Sequence, residues 1–275
     1  MREFYLENGS GNTYSLTDVK HWLYEPEGLG AKFNSKYEQI DANFIRTKRI
    51  TKPENIKGKI LFTGGNKYQQ YSEFIKFIAI EPLTLIYVAN GAHRVSVELD
   101  SIEKSEIQEG ILTCELELKR ITRWYKRVDI YNEGDLTGGK VYDYTYDYTY
   151  IDTEPETAII DSDSGYDSPT KISIYGPAVN PFWTQYLNNQ VIATGAVTAN
   201  IIAGHRLVID CTTIPYSIKE IDIEGNVVHD LYGVSNFETK RFVFLKYGKN
   251  RIVVDHDGTN TLKLAVEGRI EYETV

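Results

Sequence analysis

Sulfur is scarce: 275 residues carry two cysteines and one methionine. Cys114 and Cys211 lie in different halves of the chain, each on the apolar side of an alternating run, with Leu112, Leu116 and Leu118 around the first and Leu207 and Ile209 around the second. Buried, unpaired thiols are the expectation, not a disulfide. A pliable Met-rich recognition surface is excluded by the same shortage. Long apolar runs are missing too, since no stretch approaches the roughly eighteen residues that cross a bilayer. The N-terminus Met-Arg-Glu-Phe-Tyr-Leu-Glu-Asn lacks the apolar segment of a secretion signal, which points to a protein made and kept in a cytoplasm. Positive charge is also in deficit, with 30 lysines and arginines against 39 acidic residues and a net charge of −9. No basic cluster is dense enough to neutralise a phosphate backbone, so stable nucleic-acid binding is not expected.

Chemical motifs are equally sparse. The five histidines, His21, His93, His205, His229 and His256, are scattered, and no pair has metal-ligand spacing on one element. There is no P-loop, no Gly-x-Ser-x-Gly elbow and no Gly-x-Gly-x-x-Gly following a strand. No carboxylate pair stands out from the acidic background, so neither an enzyme nor a cofactor is expected. The run Asp161-Ser-Asp-Ser-Gly-Tyr-Asp167 spaces oxygen ligands as a calcium loop does, but Ile172 stands where the closing glutamate belongs. A turn-rich connection is the better reading, and no metal site is assigned.

What the chain does have is aromatic residues and alternation. Residues 141–151 read Val-Tyr-Asp-Tyr-Thr-Tyr-Asp-Tyr-Thr-Tyr-Ile, so Tyr142, Tyr144, Tyr146, Tyr148 and Tyr150 would line one face of a strand. Gly134, Gly138 and Gly139 just upstream suggest a boundary between Tyr131 and Lys140, dividing the chain into domains at 1–132 and 137–275. In the first half Asn66 should cap the one convincing helix, in which Tyr68, Tyr71, Phe74, Ile75, Phe77 and Ile78 share a broad arc; Pro82 ends it near Ile80. Strands are expected at 83–89 and 94–99 around an Asn90-Gly91 turn, then at 102–108 and 111–121. Eight further alternating segments between 158 and 273, each bounded by a turn signal, describe a sandwich. The fold class is therefore mainly β, an α+β half followed by an all-β half.

Two stretches are candidates for interaction. Residues 43–48 and 58–62, separated by Pro53, Glu54 and Asn55, suit a hairpin or extended arm that carries Arg46, Lys48, Arg49, Lys52, Lys57 and Lys59. Such an arm is either a solvated edge or a contact with an acidic neighbouring subunit. The second is Asn180-Pro181-Phe182-Trp183 with Tyr186, where Trp183 and Tyr186 could form a glycan-stacking platform, against the alternative of sandwich packing.

Several stretches in order carry a family resemblance. Pro26-Glu-Gly-Leu-Gly30 after Trp22, Gly58-Lys-Ile-Leu-Phe62 leading into Tyr68, Tyr71, Phe74 and Phe77, Leu83-Thr-Leu-Ile-Tyr87, and Leu112-Thr-Cys-Glu-Leu-Glu-Leu118 ending in Trp124-Tyr125 resemble the N-terminal half of siphophage distal tail proteins. The Tyr-x-Tyr-x-Tyr strand, Ile174-Tyr-Gly-Pro-Ala-Val-Asn-Pro-Phe-Trp183, Leu207-Val-Ile-Asp210 and Leu245-Lys-Tyr-Gly-Lys-Asn-Arg-Ile252 resemble that family's C-terminal domain. The resemblance implies a split-barrel domain that closes into a homo-hexameric ring and a galectin-like β-sandwich outside it. It further implies a structural hub at the virion tail tip, assembled in the host cytoplasm. Its partners would be the tail tube protein, the tail-associated lysin or tail fibre and, in many phages, a receptor-binding protein, with a central channel for DNA and no membrane contact. The same family serves phage-derived bacteriocin particles. A carbohydrate-binding module acting in host cell-wall adhesion is the alternative.

Overall fold

A computed structural model describes residues 2–52, 54–132 and 156–275. The tyrosine-rich segment 141–151 and the glycines at 134, 138 and 139 lie outside the described residues. The chain divides into two compact units, Met1–Lys126 with Glu271–Val275, and Arg127–Ile270. The border at 126/127 thus falls inside a strand, and the last five residues return to the first unit, which a reading of two consecutive halves does not anticipate.

The first unit comprises β1 (Glu3–Glu7), β2 (Thr13–Ser15), β3 (His21–Glu27), β4 (Lys32–Ile40), β5 (Asn43–Lys52), β6 (Asn55–Phe62), α1 (Lys67–Ile78), β7 (Leu83–Val88), β8 (Ala92–Lys104), β9 (Leu112–Arg120) and the start of β10 (Trp124–Asn132). Antiparallel pairing runs β2-β1-β7-β8-β9-β6-β3, with β10 also beside β8. Strict alternation sends Phe4 and Leu6, Ile60 and Phe62, and Leu112, Cys114, Leu116 and Leu118 into one core. Residues 92–97 of β8 pair with β7, and from Val97 onward the strand pairs with β9, across a bulge between Leu99 and Ser101, so one strand serves two neighbours. Gly91, at φ 91°, makes the tight turn expected at Asn90-Gly91. The helix matches its sequence signal: Asn66 Oδ1 accepts from the Gln69 amide at 3.2 Å, and Phe74 and Ile78 are buried beneath it. Burying a side chain such as Phe74 contributes about 2–3 kcal/mol.

Two expectations are corrected here, and one strand was not anticipated. The segment 43–48 does not pair with 58–62, because β5 pairs with β4, whereas β6 lies between β3 and β9. The reason is burial: Ile56, Ile60 and Phe62 complete the core, and nothing on β5 does. The strand expected at 102–108 is the end of the long β8, followed by a turn in which Glu109 and Gly110 have positive φ. Trp124 and Tyr125 begin a strand that the pattern did not reveal.

The second unit takes the rest of β10 and then β11 (Glu156–Ser162), β12 (Ser168–Tyr175), β13 (Ala178–Val179), β14 (Phe182–Leu187), β15 (Gln190–Ala196), β16 (Asn200–Ile201) and β17 (Arg206–Asp210). It ends with β18 (Ser217–Ile221), β19 (Val227–Asp230), β20 (Phe244–Leu245), β21 (Gly248–Asp255) and β22 (Lys263–Tyr272), whose last two residues belong to the first unit. Two antiparallel sheets result, β19-β18-β17-β12-β22 and β11-β21-β14-β15. Gln185 of β14 donates to the carbonyl of Phe244, on the β20 segment that pairs with β12, and so ties one sheet to the other.

Both cysteines are buried and unpaired, and burial pushes the Cys114 thiol to about 11 and the Cys211 thiol to about 12. In native buffer neither should react with a bulky maleimide, and both should react after denaturation; rapid native labelling would contradict the alternation that buries them. Trp183 is opposite Gly195 on β15, and a methyl group at Gly195 would run into the indole. Gly195→Ala should therefore destabilise the second unit by about 1–3 kcal/mol in denaturant titration, a change that an open site would not produce.

Candidate functional site

The feature that stands apart from both cores is the β4–β5 hairpin. Its strands pair in register from Lys32↔Lys52 to Ile40↔Asn43, with a bulge at Lys36/Tyr37, and among the described residues they pair with no other strand. A two-stranded ribbon is at best marginally stable in water. Nearly every residue on it is exposed, including Phe44 at 71% and Tyr37 at 58%, with Phe33, Ile40, Ile45 and Ile50 also open. Large apolar side chains in a contiguous exposed strip mark a surface made to be covered.

Register sorts the arm into two faces. One carries Phe33, Tyr37 and Phe44 with Arg46 and Arg49, and the Arg49 guanidinium lies over the Phe33 ring at 3.4 Å. The other carries Lys32, Lys36, Lys48 and Lys52 with Ile40, Ile45 and Ile50. Lys32 is directly opposite Lys52, and Lys36 opposite Lys48. Like charges directly opposed across a ladder are destabilising unless something anionic covers them. Between residues 32 and 52 six basic side chains face two acidic ones, Glu38 and Asp41, a net of +4; the remainder of the chain, at −9 overall, therefore carries −13.

Of the residues singled out from the sequence, Arg46, Lys48, Arg49 and Lys52 lie together on β5. Lys57 and Lys59 do not join them: they stand on β6, inside the sheet of the first unit. Lys57 Nζ is 2.8 Å from Glu117 Oε1, and the hydrogen bond to that carboxylate raises the lysine pKa while lowering that of Glu117. Missed from sequence were Lys32 and Lys36 on β4, which complete the basic face; their alternation with Asn34 was the available signal.

The aromatic candidates separate. Trp183 is 0% exposed, its Nε1 donates to the Arg241 carbonyl at 2.7 Å, and no face of the indole is open to a sugar. Tyr186 is half-buried with the Arg251 guanidinium 4.3 Å from its ring centre. In the segment read as calcium-like, Ser162 and Ser164 hydroxyls accept from backbone amides of the turn and Asp167 pairs with Lys246. Among the described residues no group of three or more His, Cys, Asp or Glu is placed to hold a metal ion, and no helix is long and apolar enough to cross a membrane.

In the second unit the buried Glu220 carboxylate lies between two histidines. Glu220 accepts from Nδ1 of His205 at 2.7 Å and from Nδ1 of His229 at 2.8 Å. Burial pushes the carboxyl pKa up, but the two histidine hydrogen bonds outweigh it and the net shift is downward.

Compared with known proteins, residues 3–121 match the family model of the distal tail protein N-terminal domain. The phage P2 baseplate in its activated conformation contains a similar chain, in the calcium-bound form at TM-score 0.64 and 17% identity, with 100% of each chain covered. The Dit protein of SPP1, described as a paradigm of hub adsorption apparatus in phages infecting Gram-positive hosts, is similar at TM-score 0.61 and 9% identity, covering 98% of this chain and 99% of the other. At these identities the likeness is one of fold. No curated protein matches the sequence significantly.

Because folding lowers the Glu220 pKa, this carboxylate stabilises the second unit above its ordinary value of 4.5 and the contribution is lost as pH falls through the lower folded-state value. Glu220→Gln should lower the thermal midpoint at neutral pH and flatten the acid limb of the stability profile; an unchanged acid limb would show that the cluster does not couple to folding.

Proposed function

We propose, from the match of residues 3–121 to the distal tail protein N-terminal domain, that the chain is the structural hub of a phage, or phage-derived, tail tip. Six copies form a ring through the first unit, a split barrel, with the second, galectin-like unit outside it. The ring joins the tail tube to the lysin or fibre below, holds receptor-binding proteins at its rim where these exist, and leaves a central channel for DNA. The observation that carries this reading is the β4–β5 arm, a ribbon with exposed apolar residues and opposed lysines that has no role on an isolated subunit. The whole-length likeness in fold to baseplate and hub proteins supports it. The overall negative charge also suits a channel, since a lysine-lined bore would hold DNA by counterion release. The carbohydrate-binding alternative finds Trp183 enclosed in the core.

Light scattering and negative-stain imaging of the full chain test the proposal, and closed rings with a central hole are the expected outcome. Raising salt should weaken the ring. The triple change Arg46→Glu, Lys48→Glu, Lys52→Glu should lower the assembly state while leaving the thermal midpoint within about a degree or two, because exposed charges contribute little to fold stability. A chain that stays monomeric at all concentrations, and also when mixed with its neighbouring tail proteins, would remove the hub reading.

A further inference from the structure

The arm needs an acceptor, and the first unit offers a surface of matching chemistry. β3, β6, β9 and β8 lie side by side, and their outward residues form cross-strand rows, Glu27-Lys57-Glu117-Ser101 and Tyr24-Lys59-Glu115-Glu103. Apart from Tyr24, the residues of these rows line a groove of about 280 Å³ together with Glu25. A register shift in β3 between Tyr24 and Glu27, with Glu25 at φ 47°, marks a bulge at its rim; bulges re-aim a side chain away from the ladder. The groove holds five carboxylates against two ammonium groups, one of which is already committed to Glu117. Exposed Trp22 and Tyr24 stand on the same outward side of β3 and add aromatic surface.

We propose that the lysine face of the arm of one copy docks on this groove of a second copy, an assignment that rests on the ring reading above. Four lines of argument converge. Lys32 reaches Glu54 of its own chain, but Lys52 and the opposed pair Lys36/Lys48 have no ion-pair partner among the described residues, and the carboxylates of the groove supply one. The charge split of +4 on the arm against −13 elsewhere makes another copy of the same chain a complementary partner. Ile40, Ile45 and Ile50 share the lysine face and match the exposed aromatics beside the groove. Reach is adequate, since strands of nine and ten residues extend about 30 Å, comparable to the width of a folded unit of this size. Within its own chain the arm's one ion pair among the described residues is Lys32 to Glu54 at 3.6 Å, at its base. Arm and groove are different patches, so the contact is heterologous: each copy donates one arm and accepts another, the geometry that closes into rings.

Charge exchange tests the docking in the full-length protein. An arm variant (Lys36→Glu, Lys48→Glu, Lys52→Glu) and a groove variant (Glu27→Lys, Glu103→Lys, Glu115→Lys) should each assemble at least about tenfold more weakly than the native chain with unchanged circular dichroism; the arm variant also keeps its thermal midpoint, whereas the groove variant, which sets like charges opposite Lys57 and Lys59, melts lower and is compared at a temperature where it is folded. Mixing the two variants should restore rings, because every contact then joins either native arm to native groove or reversed arm to reversed groove. The six-fold variant carrying both sets should also assemble. If arm reversal dissolves the ring while groove reversal leaves it intact, the hub reading stands and the docking assignment falls. Failure of both the mixture and the six-fold variant to assemble likewise overturns the assignment. A native chain that never forms rings overturns both.

Discussion

A two-stranded ribbon has no interior, and this constraint organises the first unit. Each strand of a larger sheet can turn one face to a core; β4 and β5 turn both faces to water. The core under β1, β6, β7, β8 and β9 is complete without them, built from Phe4, Leu6, Phe62, Phe74, Leu112 and Trp124 among others. The arm therefore adds nothing to the stability of its own unit and exposes six large apolar side chains. Covering each of these is worth on the order of 1–2 kcal/mol, which only a surface from outside the subunit can recover.

Charge follows the same division. A net value of −9 describes a mildly acidic protein, yet the average conceals a basic ribbon on an otherwise strongly acidic body. At physiological ionic strength exposed charges are screened over about 8 Å, so what a neighbour meets is the local patch and not the mean. A chain whose two patches have opposite sign attracts copies of itself in one orientation and repels the others, which selects register before any apolar contact forms.

How much of this was legible in sequence depended on whether burial or pairing decided the outcome. The helix was legible to within two residues, because Asn66 and the arc of Phe74, Ile75 and Ile78 are local signals. The Asn90-Gly91 turn and both buried cysteines were legible for the same reason. The arm was seen as an extended basic stretch but given the wrong partner strand, since 43–48 and 58–62 look alike in alternation and only the core distinguishes them. Consecutive basic residues consequently parted, Arg46 to Lys52 on the ribbon and Lys57 and Lys59 in the sheet. Trp183 carries no mark in sequence of facing inward; the clue was Gly195, whose missing side chain makes room for an indole only once the β14–β15 register is known.

The return of residues 271–275 to the first unit sets an order in time. Tyr272 and Val275 pack against that unit's core, and Glu271 and Glu273 lie 3.1 and 3.3 Å from Arg123. A ribosome releases these residues only after the whole of the second unit, so the usual rule that the N-terminal domain folds first during synthesis does not apply without qualification. The first unit waits, lacking its closing segment, until translation has passed residue 271.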